Sequence, residues 1–358
     1  MRKNLSSFAL LCLSCIVYCA YAYDFSAVNA DNTVIYYNYM PDSLSVKVTC
    51  HNDSEIQYSG AVVIPDTVVF QDVSYPVVEI DSSAFAGDFG LTSVVMPNSI
   101  TAIGNYAFSS CRNMASITLS DNLTRIGTNA FFYCQRITSL VLPESLTELG
   151  TSAFGYCETL KNITLPSQMA SIPYEAFRNS GLTNITLDNI SVIGERAFLS
   201  CGSLEKIRLG NQVDSIKDYA FGLCLALKEI HIDMATPPAI TNETFYNINK
   251  SACVVYVPQG AVDTYKTTSL WTDFPNIVEE GSDGIRSISA DHTQIVPVSG
   301  GIRIDSKTAA KITVFDIGGR QIYRSVSDGK QIVPLQQGVY LVQVQNNEGV
   351  GLQKIIVY

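Results

Sequence analysis

Eight phenylalanines recur through the middle of this 358-residue chain: Phe85, Phe108, Phe131, Phe154, Phe177, Phe198, Phe221 and Phe245. Their separations are 23, 23, 23, 23, 21, 23 and 24 residues. A period of this length marks stacked structural repeats, each too small to bury its own apolar side chains. Function in such an array belongs to an extended surface shared by neighbouring repeats, and no single catalytic pocket is required.

Alignment on the phenylalanines defines the unit. Five residues earlier stands an aliphatic residue (Ile80, Ile103, Ile126, Leu149, Ile172, Ile193, Ile216, Ile240), and three residues later Asp88, Cys111, Cys134, Cys157, Ser180, Cys201, Cys224 or Ile248. An alternating segment follows, as in Leu160-Lys161-Asn162-Ile163-Thr164-Leu165 and Leu204-Glu205-Lys206-Ile207-Arg208-Leu209. Alternation of this kind predicts a strand with one buried face. Gly104, Gly127, Gly150 and Gly194 punctuate the chain before the Ala-Phe-x-x-Cys stretch, which fits one short helical or 3₁₀ turn. Stacked at about 4.8 Å per turn, the strands from Thr92 to Ile232 and the closing segment Val254–Val257 are expected to make one continuous parallel sheet. The repeat after Phe177 departs from the pattern: it is two residues shorter, and Ser180 replaces the cysteine.

The pattern Ile126-Gly127-Thr128-Asn129-Ala130-Phe131-Phe132-Tyr133-Cys134, continuing through Leu142-Pro143, closely resembles the leucine-rich repeats of BspA-like surface proteins, over roughly residues 79 to 278. Tyr58 to Pro65 and Tyr75 to Ile80 resemble that family's N-terminal cap, and Val254 to Pro258 with Tyr265, Trp271 and Phe274 resembles its closing turn. Farther on, Val314-Phe315-Asp316, Gly319-Arg320, Gly338-Val339-Tyr340-Leu341-Val342 and Lys354-Ile355-Ile356-Val357 resemble the C-terminal sorting domain of proteins exported by type IX secretion. These resemblances imply a secreted protein at the outer cell surface, of Bacteroidetes type. Its implied role is adhesion to host extracellular matrix or to other cells, without catalysis. A glycan-binding component of a surface nutrient-uptake system is the alternative.

The expected fold is therefore mostly β: a leucine-rich-repeat solenoid with a parallel sheet and short helical or 3₁₀ turns, an N-terminal β cap and a small C-terminal antiparallel β-sandwich. Residues 1–22 read as a signal peptide, because Met1-Arg2-Lys3, the apolar stretch from Phe8 to Val17 and Ala20-Tyr21-Ala22 follow in that order. The apolar stretch is short for a membrane span, and no later segment is long and apolar enough to cross a bilayer, so no membrane insertion of the mature chain is expected. Residues 23–78 read as the cap, 79–280 as the solenoid, the glycine-bearing stretch to Gly284 as a linker, and 285–358 as the sandwich. Removal of the first 22 residues leaves Cys50, Cys111, Cys134, Cys157, Cys201, Cys224 and Cys253. The repeat cysteines are expected as small buried core residues, with disulfides between neighbouring repeats as the alternative.

No reaction chemistry is legible. His51, His231 and His292 are far apart in sequence and form no metal-ligand spacing or Cys-His pair, so no metal and no cofactor are expected. A net charge of −10 without a basic stripe argues against nucleic acid and anionic membranes as partners. The expected partner is a host-matrix protein, another cell-surface protein, or a glycan. The outward row of the strands is small and hydroxylated early and charged later. Candidate contacts are accordingly Thr164, Thr186, Lys206, Arg208, Glu229 and His231, with Phe132, Tyr133 and Tyr156 as aromatics on the turn side.

Overall fold

The structure is a computed structural model that describes residues 23–51, 57–280, 293–298, 301–306, 310–316, 320–327, 329–346 and 349–357. The segments read as a signal peptide and a linker, residues 1–22 and the stretch from Gly281 to Gly284, lie outside the described residues. The chain divides into two compact units, with the division between Ile277 and Val278.

Each turn of the first unit is set by local backbone geometry around its phenylalanine. Residues on both sides adopt left-handed conformations, as at Asn129 (φ 54°) and Tyr133 (φ 62°) around Phe131. Between them run i to i+3 hydrogen bonds: Ala130 N–H to Gly127 (3.3 Å), Phe132 to Asn129 (3.2 Å) and Cys134 to Phe131 (3.2 Å). Such bonds make 3₁₀-type turns, and the left-handed residues keep the turns from joining into a helix. The phenylalanine at the centre points inward, and all eight are buried. Their rings stack face to face from turn to turn, between 4.8 Å for Phe85–Phe108 and 5.6 Å for Phe154–Phe177 and Phe221–Phe245.

Backbone and thiol hydrogen bonds follow the same spacing. Phe108, Phe131 and Phe154 donate to Ala130, Ala153 and Ala176 of the next turn, at 2.7, 2.8 and 2.9 Å. Cys111, Cys134, Cys157, Cys201 and Cys224 each direct Sγ at the carbonyl of a phenylalanine in the previous turn, at 3.0 to 3.2 Å. These cysteines and Cys253 are buried and unbridged, as the core reading expected. The glycines before the turns are there for close approach. A Cβ on Gly150 would lie 2.3 Å from the backbone nitrogen of Thr128.

Aromatic side chains close both ends of the stack. Tyr58 packs on Phe85 at 4.5 Å, and its hydroxyl accepts from the N–H of Tyr36 and donates to Thr49 C=O, at 3.0 and 2.9 Å. Phe274 and Trp271 meet Phe245 edge-on at the other end. The turn Trp271–Asp273 carries Trp271 and ends at Phe274, and the helix Val262–Thr267 carries Tyr265, which meets Trp271 edge-on at 5.4 Å.

Two ladders run along the solenoid. The back ladder continues the cap strands Phe25–Val28, Val34–Tyr39, Val46–Thr49 and Val73–Ile80 into Ala102–Ile103, Arg125–Ile126 and Glu148–Leu149; a separate sheet holds Ser171–Ile172, Val192–Ile193 and Ser215–Ile216. The front ladder corrects the expectation of one continuous sheet. It forms three: Gly60–Val63, Leu91–Val95 and Ser116–Thr118; then Ser139–Val141 and Asn162–Thr164; then Asn184–Leu187, Lys206–Leu209, Glu229–Ile232 and Val254–Val257.

The second unit is antiparallel throughout. Thr293–Val298, Gly301–Ser306 and Lys330–Pro334 form one sheet, and Gln321–Ser327, Ala310–Asp316, Gly338–Asn346 and Gly349–Val357 the other. Ile302, Ile304, Ile312, Val314, Val333, Val342 and Val344 form its core. The strands Thr293–Val298 and Gly301–Ser306 had no counterpart in the sequence reading.

Two measurements check this packing. Phe154→Ala, which empties the middle of the ring stack, is expected to cost about 3–5 kcal/mol, read as a fall in thermal midpoint. The second concerns Asp88, which takes the first cysteine position. It is 5% exposed, one carboxylate oxygen lacks a hydrogen-bond partner, and burial pushes its pKa up to about 8. The folded state therefore holds this proton more tightly than the unfolded chain, and stability is lost as pH rises from about 4 to 8. Asp88→Asn should raise the melting temperature by an increment that grows over that range; an increment independent of pH would contradict the assignment.

Candidate functional site

The two residues missing from the repeat after Phe177 come from either side of one front strand. Cys157 precedes Leu160 by three positions and Ser180 precedes Leu182 by two; Leu165 precedes Met169 by four and Leu187 precedes Ile190 by three. The connections into and out of Asn184–Leu187 are thus each one residue short. At the incoming side the chain cuts the corner: Gly181 N–H donates to Cys157 C=O at 3.1 Å, and a Cβ on Gly181 would lie 2.1 Å from Glu158 C=O.

This is the junction at which both ladders are interrupted. In front, Asn162–Thr164 and Asn184–Leu187 belong to different sheets; behind, so do Glu148–Leu149 and Ser171–Ile172. The back interruption has a direct chemical cause. Gly127 and Gly150 donate their N–H groups to Ile103 and Ile126 of the previous turn, at 2.9 and 2.8 Å. Pro173 occupies the equivalent position, and proline has no N–H to give. The turns nevertheless stay attached through Phe154–Phe177 stacking, the Phe154 N–H to Ala176 bond and a bond from Thr183 N–H to Lys161 C=O at 3.2 Å.

The front strands are therefore tied at Lys161 and Thr183 and unpaired beyond. A cleft of about 460 Å³ opens there. Asn162 and Thr164 line one side, and Asn184 and Thr186 the other. Ile163 and Leu165, which also line it, are only half-buried, whereas Ile185 and Leu187 are fully inside. Beyond the strand ends the lining includes Asp188, which is exposed, and Glu144. Glu144 accepts from the N–H and hydroxyl of Ser167 at 2.9 and 2.7 Å, which holds its carboxyl below the usual range. Two residues singled out from the sequence, Thr164 and Thr186, are exposed and border the same cleft; Glu144 and Asp188 were missed.

The other four candidates form an ion-paired group on the adjoining strands. In register, Thr186 pairs with Arg208, Arg208 with His231 and His231 with Tyr256. Lys206 Nζ lies 3.1 Å from Glu229, and Arg208 makes two contacts with Asp233 at 3.1 and 2.5 Å. Glu229 also meets His231 Nε2 at 3.1 Å, and these bonds, from His231 first and Lys206 second, lower its pKa. His231 requires a correction. It stands on the outward row but is only 7% exposed, because Tyr256 of the next turn stacks on its ring at 4.4 Å.

The turn-side aromatics are half-buried and occupied. Tyr133 and Tyr156 stack on each other at 4.7 Å, Arg112 lies over Tyr133 at 5.8 Å, and Arg178 over Tyr156 at 5.5 Å. Aromatic and guanidinium neighbours consume the ring faces that a sugar would need.

Comparison with known proteins gives the family. The BspA type leucine rich repeat region matches residues 78–202 and 170–260, with six copies. The secretion system C-terminal sorting domain matches residues 296–358. No curated protein matches the chain. Similar solved structures include the leucine rich repeat protein TpLRR of T. pallidum, 28% identical over 56% of this chain and 82% of that one, with a TM-score of 0.42. A leucine rich cell surface protein of Faecalibacterium prausnitzii is 18% identical over 73% and 96%, with a TM-score of 0.42. A leucine-rich repeat protein of Bacteroides ovatus is 20% identical over 68% and 80%, with a TM-score of 0.34. Because the repeat match spans more than half of the chain, the protein belongs to the BspA type leucine rich repeat family, with a secretion sorting domain at its C-terminal end.

Proposed function

We propose that this protein binds extracellular macromolecules at the cell surface and that the cleft between Asn162–Thr164 and Asn184–Leu187 is its recognition site. Adhesion to host matrix or to other cells is the role this reading supports, with the sorting domain serving export to that surface. The observation that carries it is the cleft at the one short repeat, where front and back ladders are both interrupted; the other front interruption, between Ser116–Thr118 and Ser139–Val141, leaves the back ladder continuous. Unpaired backbone groups on neighbouring strands want hydrogen-bond partners, and a ligand seated between them supplies what the ladder lacks. The ion-paired group from Lys206 to Asp233 is a weaker candidate, since its charges already satisfy one another.

Glycan capture for nutrient uptake is the second reading. It is favoured by the uncharged amide and hydroxyl lining of Asn162, Thr164, Asn184 and Thr186. It is disfavoured by the absence of an open aromatic face at Tyr133 and Tyr156.

Pull-downs from host matrix and serum compare wild type, Thr164→Trp/Thr186→Trp and Lys206→Ala/Arg208→Ala. Tryptophan is well tolerated at exposed strand positions, so the first variant fills the cleft without unfolding the sheet. Its capture of partners is expected to fall about tenfold, roughly 1.4 kcal/mol, while the second variant retains most of it. Equal capture by all three would place recognition elsewhere.

A further inference from the structure

We propose that the ligand of this cleft is a protein segment that inserts a basic side chain, arginine or lysine, between Asn162–Thr164 and Asn184–Leu187, which are not paired with each other. The proposal rests on the reading of the cleft as a recognition site and adds the chemistry of its occupant. Three features of the lining converge on a long, amphipathic cation.

The first is the arrangement of acceptors. Thr164 and Thr186 present hydroxyls, Asn162 and Asn184 side-chain carbonyls, and the adjoining strands face each other without a backbone ladder. A guanidinium has five donors and no acceptor, and an ammonium three and none, so either pairs with these acceptors, while the N–H groups of the open strand edges fall to the carbonyls of the segment that carries it.

The second is charge. Glu144 and Asp188 are the ionisable residues of the lining, and no lysine, arginine or histidine is among its residues. The hydrogen bonds from Ser167 keep Glu144 ionised. The nearest cations on the following strand, Lys206 and Arg208, are held by Glu229 and Asp233. An acidic segment would therefore be repelled, and the net charge of −10 favours approach of a basic one.

The third is the apolar side of the lining. Ile163 and Leu165 are half-buried here because the ladder that would cover them is missing. The methylene stem of lysine or arginine packs on such a surface while its head reaches polar groups beyond. A free inorganic cation has no such stem, and an uncharged polyol leaves the carboxylates without a counter-charge.

The test uses the full chain and fluorescein-labelled Thr-Arg-Thr-Arg-Thr-amide, read by fluorescence anisotropy beside a counterpart in which citrulline replaces arginine. Citrulline keeps the length and most hydrogen bonding and removes the charge. The arginine peptide is expected to bind at least about ten times more tightly. Asp188→Asn and Glu144→Gln should each weaken it several-fold, and raising the salt from 50 to 500 mM should weaken it further. Equal affinity for the two peptides, or an affinity indifferent to both carboxylate substitutions, overturns the proposal. Failure of the arginine peptide to bind also overturns it, and cellohexaose then separates the peptide reading from the cleft itself. Cellohexaose bound by wild type and lost in Thr164→Trp/Thr186→Trp leaves the cleft standing as a glycan site. Binding of neither probe class rejects the cleft as well.

Discussion

The stacking of eight phenylalanine rings is the constraint on which the rest of the first unit depends. A ring every turn, with interplanar angles of 1° to 11°, requires the backbone to return to the same place at a spacing close to that of paired strands. The left-handed residues flanking the phenylalanines on both sides, except Phe245, which has Asn247 alone, the thiols directed at phenylalanine carbonyls and the glycines against the previous turn all serve this return. Each buried ring stabilises by about 1.5–3 kcal/mol, and in a solenoid those terms act between nearest neighbours. One junction can therefore loosen while its neighbours hold.

The junction between Phe154 and Phe177 uses that freedom. Its ring spacing of 5.6 Å equals the widest in the stack, yet the rings remain parallel within 3°. Neither missing residue falls within the turn that carries Phe177; both flank the front strand. The core is kept, and the change is confined to the surface, where it leaves two neighbouring strands unpaired with each other. Pro173 loosens the opposite side of the same junction by removing one ladder donor. The cleft proposed as the recognition site thus arises by subtraction from a regular array.

Much of this was legible in the sequence. The phenylalanine period gave the turn, the alternating segments gave the front strands, and Tyr58, Trp271 and Phe274 marked the ends. The second break in the front sheet was missed because the period was measured between phenylalanines, whereas pairing there depends on the connections at 180–182 and 187–190; the first break, between Ser116–Thr118 and Ser139–Val141, falls at regular spacing and has no counterpart in connection length. The two-residue deficit was visible; where it fell relative to the strand decided its meaning. His231 occupies an outward position by alternation, and its burial depends on Tyr256, which belongs to the closing strand and lies 25 positions later. Tyr133 and Tyr156 are one repeat apart and so stack on each other, an arrangement that spacing implies but that a search for exposed aromatics overlooks. Glu144 and Asp188 lie on different turns, and only the gap brings them into one lining.

The central claim is that the shortened repeat makes the site. Insertion of one residue between Ser180 and Gly181 and one between Leu187 and Asp188 restores the regular spacing without touching a lining side chain. The most direct measurement is capture of matrix and serum proteins by this full-length variant, with its melting temperature recorded alongside. Loss of the partners that wild type captures, at an equal or higher melting temperature, is the predicted result. Undiminished capture by a variant whose front strands have become protected from hydrogen exchange would contradict it.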